Sequence, residues 1–177
     1  MSAILVIGGC RSGKSREALR RAQAGEGRRL FVATCVPHDA EMAARVARHR
    51  AERDDTWQTV EAPMDLAGVL RREDALDRVI LVDCLTLWTS NLMAAGLQDA
   101  AIEDCARDLA RHLCEARGRV ILVTNEVGGG IVPDHEVARR FRDLAGLVNQ
   151  RIAAACHRVV WMVAGIAVTV KEAAGNG

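Results

Sequence analysis

Five short apolar runs punctuate the chain, at residues 3–7, 30–34, 79–82, 120–124 and 159–163. Each is continuous rather than alternating, the pattern of a strand buried on both faces of a parallel sheet. Amphipathic stretches fill the gaps and predict helices. Residues 15–24 follow the first run. Residues 39–53 place Met42, Val46 and His49 at i, i+4, i+7, with Asp39 as N-cap. Residues 99–116 carry Ile102, Leu109 and Leu113 near one face, and 136–156 carry Phe141, Leu144, Val148 and Ile152. Strands alternating with helices imply βαβ units and a mostly parallel sheet with helices on both faces. No internal repeat, Pro/Ser linker or composition shift divides the chain, so one domain over 1–177 is expected, with 172–177 as a frayed tail.

Composition narrows the class. Half of the 177 residues are hydrophobic and 27% are charged, which excludes global disorder. A net charge of +1 excludes the broad basic field of a general nucleic-acid binder. None of the six cysteines forms C-x-x-C or zinc-finger spacing with a histidine. The first apolar run is too short for a signal peptide, and no stretch approaches the ~18 apolar residues of a membrane span. These features predict a reduced, cytoplasmic protein with free thiols and no membrane span.

The chemistry begins where the first apolar run ends. Gly8-Gly9-Cys10-Arg11-Ser12-Gly13-Lys14-Ser15 fits G-x-x-x-x-G-K-[ST], and Lys14 is one of only two lysines, with Lys171. Glycines let the backbone turn its N–H groups toward phosphate oxygens, and the next helix adds its positive end. Lys14 is placed to reach the β- and γ-phosphates, and Ser15 to offer its hydroxyl to Mg²⁺. Strand 79–82 ends at Asp83, a second Mg²⁺ ligand in the manner of a Walker B strand. A signalling GTPase needs a guanine-reading N-K-x-D, which two lysines at 14 and 171 do not provide. The size suits a small kinase or nucleotidyltransferase.

Five segments carry a more specific resemblance: GGCRSGKS (8–15), EMAARVARHR (41–50), LVDCLTLW (81–88), TNEVGGGIVPDHEVARRFRDLAGLVNQ (124–150) and VAGIAVTVK (163–171). In this order the chain resembles the bifunctional adenosylcobinamide kinase / adenosylcobinamide-phosphate guanylyltransferase family of cobalamin (vitamin B12) biosynthesis, from about residue 4 to 171. The resemblance implies a P-loop NTPase-like, RecA-like α/β fold. It implies phosphorylation of the aminopropanol hydroxyl of adenosylcobinamide with GTP or ATP. GMP transfer from GTP onto that phosphate then gives adenosyl-GDP-cobinamide and pyrophosphate. It assigns the guanylylated nucleophile to His49 and nucleotide contacts to residues 8–15, to Ala33, Thr34 and Cys35, to Arg50, Ala51, Glu52 and Arg53, and to Glu61 and Asp83. It implies a homo-oligomer, such as a trimer, with sites near subunit interfaces. Cys10, where a small residue is usual, and Ile166-Ala167-Val168-Thr169, in place of Gly-(Leu/Ile)-Pro-Leu, depart from the family pattern.

The residues give that assignment a chemical logic. A histidine is neutral near pH 7, with an ordinary pKa of roughly 6.5, and so is available as a nucleophile. Arg48 and Arg50 flank His49, and Arg45 and Arg53 lie a turn away. They disfavour a second positive charge on the ring and supply donors to phosphate oxygens. Elsewhere, Gly128-Gly129-Gly130-Ile131-Val132-Pro133 reads as a loop for close approach to substrate or subunit. Arg139, Arg140 and Arg142 read as a solvated helix flank. Trp57, Trp88 and Trp161 read as core or interface, and His38, His112, His135 and His157 as structural. Two other classes stay open on the residues alone: a P-loop kinase of another small metabolite, and a GTP-binding regulatory protein.

Overall fold

The computed structural model describes residues 2–37, 39–51 and 53–173; the side chains of Ser2, Arg45, Arg48 and His49 fall outside that description. In chain order the elements are β1 (Ser2–Gly8), α1 (Lys14–Gln23), β2 (Arg28–Ala33), α2 (Ala40–Ala51), β3 (Trp57–Glu61), α3 (Leu66–Glu73) and β4 (Arg78–Asp83). Then come α4 (Leu85–Ala94), α5 (Asp99–Glu115), β5 (Arg119–Asn125), α6 (Glu136–Ala155), β6 (Arg158–Val163) and β7 (Ile166–Glu172). The strands form one sheet in the order β3-β2-β4-β5-β1-β6-β7. All neighbours run parallel except β6 and β7.

The five expected strands are present, and so are the four expected helices with ends shifted by a few residues. Asp39 caps α2 as expected, its carboxylate accepting the Met42 N–H at 2.7 Å. Four elements were not anticipated. Strand β3, Trp-Gln-Thr-Val-Glu, is an edge strand without an apolar run. Helix α3 is short and is capped by Asp65 on the Gly68 N–H at 2.9 Å. Helix α4 mixes Leu, Thr, Trp and Asn with no polar stripe, because much of its circumference is buried. Strand β7 returns antiparallel through Ala164 and Gly165, whose φ angles of 50° and 85° give the doubly positive φ of a tight two-residue hairpin. The expected frayed tail therefore starts too early at 172. Glu172 ends β7 opposite Arg158, and the Ala173 N–H donates to the His157 carbonyl at 2.7 Å. Residues 174–177 lie outside the described residues.

Two apolar layers flank the sheet. On one face Leu66 and Leu70 of α3, Trp88 and Leu92 of α4, Leu109 of α5 and Val148 and Ile152 of α6 pack on Leu5, Val82 and Leu122. On the other, Ala18 and Ala22 of α1 pack on Ile4, Val6, Leu81 and Val123. The alanines let α1 approach closely and bring its N-terminus over the carboxyl ends of the strands. Burial of roughly 25 cal/mol per Å² on both faces makes the central strands the rigid base on which the loops stand.

Candidate active site

Residues 9–13 form the turn between β1 and α1. Gly13 precedes the helix at φ +91°, a conformation that favours glycine. A Cβ at Gly8 would lie 2.6 Å from Ser12 Oγ and 2.7 Å from the Met162 carbonyl oxygen, so only glycine lets the turn fold back against β6. No side chain caps α1 at Gly13, which leaves its first-turn N–H groups to an incoming anion. Lys14 is buried, and its Nζ donates to the Gly9 carbonyl at 3.0 Å, spanning the turn from helix to strand.

Sheet register gathers residues that are distant in sequence. Glu61 pairs with Ala33, and Ala33 pairs with Asp83, so the three form one row across the carboxyl edge of β3, β2 and β4. Strand β5 alone separates β4 from β1, and its Asn125 pairs with Gly8 at the start of the turn. The Thr34 hydroxyl accepts the Cys84 N–H at 2.7 Å and donates to the Cys84 carbonyl at 2.8 Å. Asn91 of α4 donates to the Thr34 carbonyl at 2.8 Å and the Pro63 carbonyl at 3.0 Å. Ala33, Thr34, Cys35, Glu61 and Asp83 are thus brought to one edge with the glycine turn. At the far end of α2, the Arg53 guanidinium lies 3.6 Å from the centroid of the Phe31 ring of β2, and Arg50 and Ala51 are exposed. His49 lies within α2, which follows β2 from the same edge; its side chain is outside the described residues, as is Glu52 entirely.

A buried polar chain braces β5 from behind. Thr124 Oγ1 donates to Asn149 Oδ1 at 2.7 Å and lies 3.2 Å from Thr86 Oγ1. Thr86 Oγ1 accepts the Asn125 N–H at 2.7 Å, and Asn149 Nδ2 donates to the Asn125 carbonyl at 3.1 Å. Sequence reasoning missed this set, although the buried Thr86 of α4 is its trace. Of the arginine flank expected to be solvated, Arg139 is exposed and Arg140 and Arg142 are partly covered. Arg142 donates to the carbonyls of Gly128 and Ile131, Arg139 to those of Pro133 and Asp134, and Arg140 to Asp99 and Leu97. Backbone carbonyls of the glycine-rich loop after β5 need donors, and the helix behind it supplies them.

The three tryptophans differ. Trp88 is core, its Nε1 donating to the Met64 carbonyl at 2.6 Å. Trp57 is half-buried against the α1-side layer. Trp161 is 46% exposed. Burial pushes the Cys84 and Cys156 thiols up to about 12, which removes both as thiolate nucleophiles.

The Ser15 hydroxyl and Asp83 carboxylate are hard oxygen donors, from the first turn of α1 and from the strand beyond β5. That donor chemistry fits Mg²⁺, which takes few protein ligands and keeps positions for phosphate oxygens and water.

A glycine turn with a buried lysine at the N-terminus of α1, one strand removed from a strand ending in aspartate, defines a P-loop nucleotide-binding fold of the RecA-like kind. The ATPase EscN of the enteropathogenic E. coli type III secretion system superposes with a TM-score of 0.57 at 9% identity, covering 95% of this chain and 47% of that one. The chain spans about half the length of that ATPase, and the likeness shows the fold alone. The family model for cobinamide kinase / cobinamide phosphate guanyltransferase matches residues 4–170. The bifunctional adenosylcobalamin biosynthesis protein CobP of Pseudomonas aeruginosa is 45% identical over 168 residues, 94% of this chain and 96% of the relative. CobU of Salmonella typhimurium, described in the same words, is 41% identical over 181 residues, 95% of this chain and 99% of the relative. The chain belongs to the cobinamide kinase / cobinamide phosphate guanyltransferase family.

Proposed function

We propose that the protein phosphorylates adenosylcobinamide with GTP or ATP and then transfers GMP from GTP onto the new phosphate through a covalent histidine intermediate. Family membership carries the pair of reactions, and the edge formed by the glycine turn with Glu61, Ala33 and Asp83 supports a nucleotide site there. Residues 8–15 bind the phosphates, and Lys14 exchanges the Gly9 carbonyl for phosphate oxygens when nucleotide arrives. Ala33, Thr34, Cys35, Arg50, Ala51, Glu52, Arg53 and Glu61 hold the rest of the nucleotide. Ser15 and Asp83 hold Mg²⁺, which neutralises charge on the phosphates when bound. His49 attacks the α-phosphorus of GTP; the bond from that phosphorus to the bridging oxygen breaks and pyrophosphate leaves. The phosphate of the corrinoid then displaces GMP from the imidazole. Arginines next to His49 in the sequence supply donors for oxygens of the transferred group.

The protein works as a homo-oligomer, such as a trimer. Supporting this is an uncovered apolar strip on the β6–β7 hairpin: Trp161 and Val163 beside Val168 and Ile166, with Val170 beyond. Ile166 is 67% exposed, and β7 is an edge strand. A cytoplasmic location is supported by six free cysteines, and among the described residues no helix is long and apolar enough to cross a membrane. The test is product analysis. Purified protein given adenosylcobinamide, GTP and Mg²⁺ is expected to yield adenosyl-GDP-cobinamide and pyrophosphate by mass spectrometry. Recovery of unmodified adenosylcobinamide alone would contradict the reading.

A further inference from the structure

The glutamate that opens the glycine-rich loop after β5 has no part in the nucleotide site described above, yet it stands against the glycine turn. The Glu126 N–H donates to the Gly8 carbonyl at 3.1 Å, which fixes its backbone to the end of the strand that carries the turn. Its carboxylate accepts the Gly128 N–H at 2.6 Å, and Arg142 holds the Gly128 carbonyl. Directly before it, Asn125 is held through both its N–H and its carbonyl by the buried Thr86–Thr124–Asn149 chain. With residues 9–12 and 161–164 it lines a cavity of about 390 Å³ at the rim of the turn. That space admits a hydroxyl-bearing arm, with the body of a larger acceptor lying outside.

We propose that this cavity is the subsite for the acceptor alcohol of the kinase step and that Glu126 is the base that takes its proton. The proposal rests on the two-reaction reading above and supplies a part which that reading lacks. In the step, the alcohol oxygen forms a bond to the γ-phosphorus. The bond from that phosphorus to the β–γ bridging oxygen breaks, and nucleoside diphosphate leaves with the electron pair. The hydroxyl proton passes to the Glu126 carboxylate. Guanylyl transfer requires no such base, because its acceptor is already a phosphate anion.

The two activities are therefore expected to separate. Transfer of γ-labelled phosphate from GTP to adenosylcobinamide and retention of α-labelled GMP on denatured protein are measured for the parent, Glu126→Gln and Glu126→Asp. The Gln variant is expected to lose at least about 100-fold in phosphate transfer, the scale of a general base, while its protein-bound label stays within threefold of the parent. The Asp variant, which keeps a carboxylate, is expected to recover at least tenfold over Gln. Phosphate transfer by the Gln variant within threefold of an active parent overturns the inference alone, as does equal loss of both activities or no recovery with Asp. A parent that retains label but phosphorylates no adenosylcobinamide overturns the kinase half of the function, and this inference with it.

Discussion

Thr34 and Cys84 are joined twice by one hydroxyl, which accepts the Cys84 N–H and donates to the Cys84 carbonyl. The two residues follow β2 and β4, so this pair locks together the strand ends that carry Ala33 and Asp83. Thr34→Val keeps the shape but leaves the buried Cys84 N–H without its partner, while the Cys84 carbonyl keeps the Trp88 N–H. Each unsatisfied group costs about 1–3 kcal/mol. A loss of about 1–3 kcal/mol in urea unfolding is expected, with weaker GTP binding by equilibrium dialysis. Unchanged stability would mean that the ends of β2 and β4 are held by other contacts.

Lys14 offers a cleaner separation of binding from stability. It is buried with its ammonium on the Gly9 carbonyl. Lys14→Met retains the stem and removes the charge. Both phosphate transfer and GMP transfer are expected to fall at least about 100-fold, as for loss of a phosphate-directed cation. The thermal midpoint is expected to stay within a few degrees. Measurement of both rates and of Tm on one preparation checks this.

Acid sensitivity should trace in part to His157. Burial lowers its pKa, assisted by the neighbouring Arg158 and Arg119. The folded chain therefore holds fewer protons than the unfolded chain once pH drops below the ordinary histidine value of about 6.5. Its stabilising contribution is present above that pH and is lost as pH falls toward the depressed folded value. Glu17, Asp77 and Asp108 are lowered by hydrogen bonds from Arg20, Arg28 and Arg71, and they act at lower pH, below the ordinary carboxylate range. The urea midpoint of the parent is expected to decline between pH 7 and 5.5, and that of His157→Gln to decline less. Equal slopes would assign the effect elsewhere.

The apolar strip on β6 and β7 predicts its own disruption. Charged substitutions at Ile166 and Val168, both solvent-facing in the protomer, are expected to yield monomers by light scattering with an unchanged circular dichroism spectrum. An unaltered mass would place the subunit contact on another surface.

How much of this was legible beforehand depended on burial and on sequence distance. Strands β1, β4 and β5 are buried on both faces, so their apolar runs announced them. Strand β3 lies at an edge with exposed Gln58 and Thr59, and α4 is buried around much of its surface, so neither shows a clear period. The glycine turn is contiguous and could be read directly. The row Glu61–Ala33–Asp83 follows from sheet register, to which the chain order gives no guide; the family resemblance named those positions without their geometry. The position of Glu126 beside Gly8 required the strand order, which inserts β5 between β4 and β1. Arg142 looked solvated because a helix pattern does not reveal a loop folded over its flank.

The covalent intermediate is the claim on which the two-reaction account turns, and it can be trapped. GTP labelled at the α-phosphate is incubated with the protein and Mg²⁺, and the denatured protein is counted before and after mild acid. The account predicts label bound to the parent, released by acid as expected of a phosphoramidate, and absent from His49→Ala. Label that persists undiminished in His49→Ala, or a parent that binds GTP yet retains none, would contradict it.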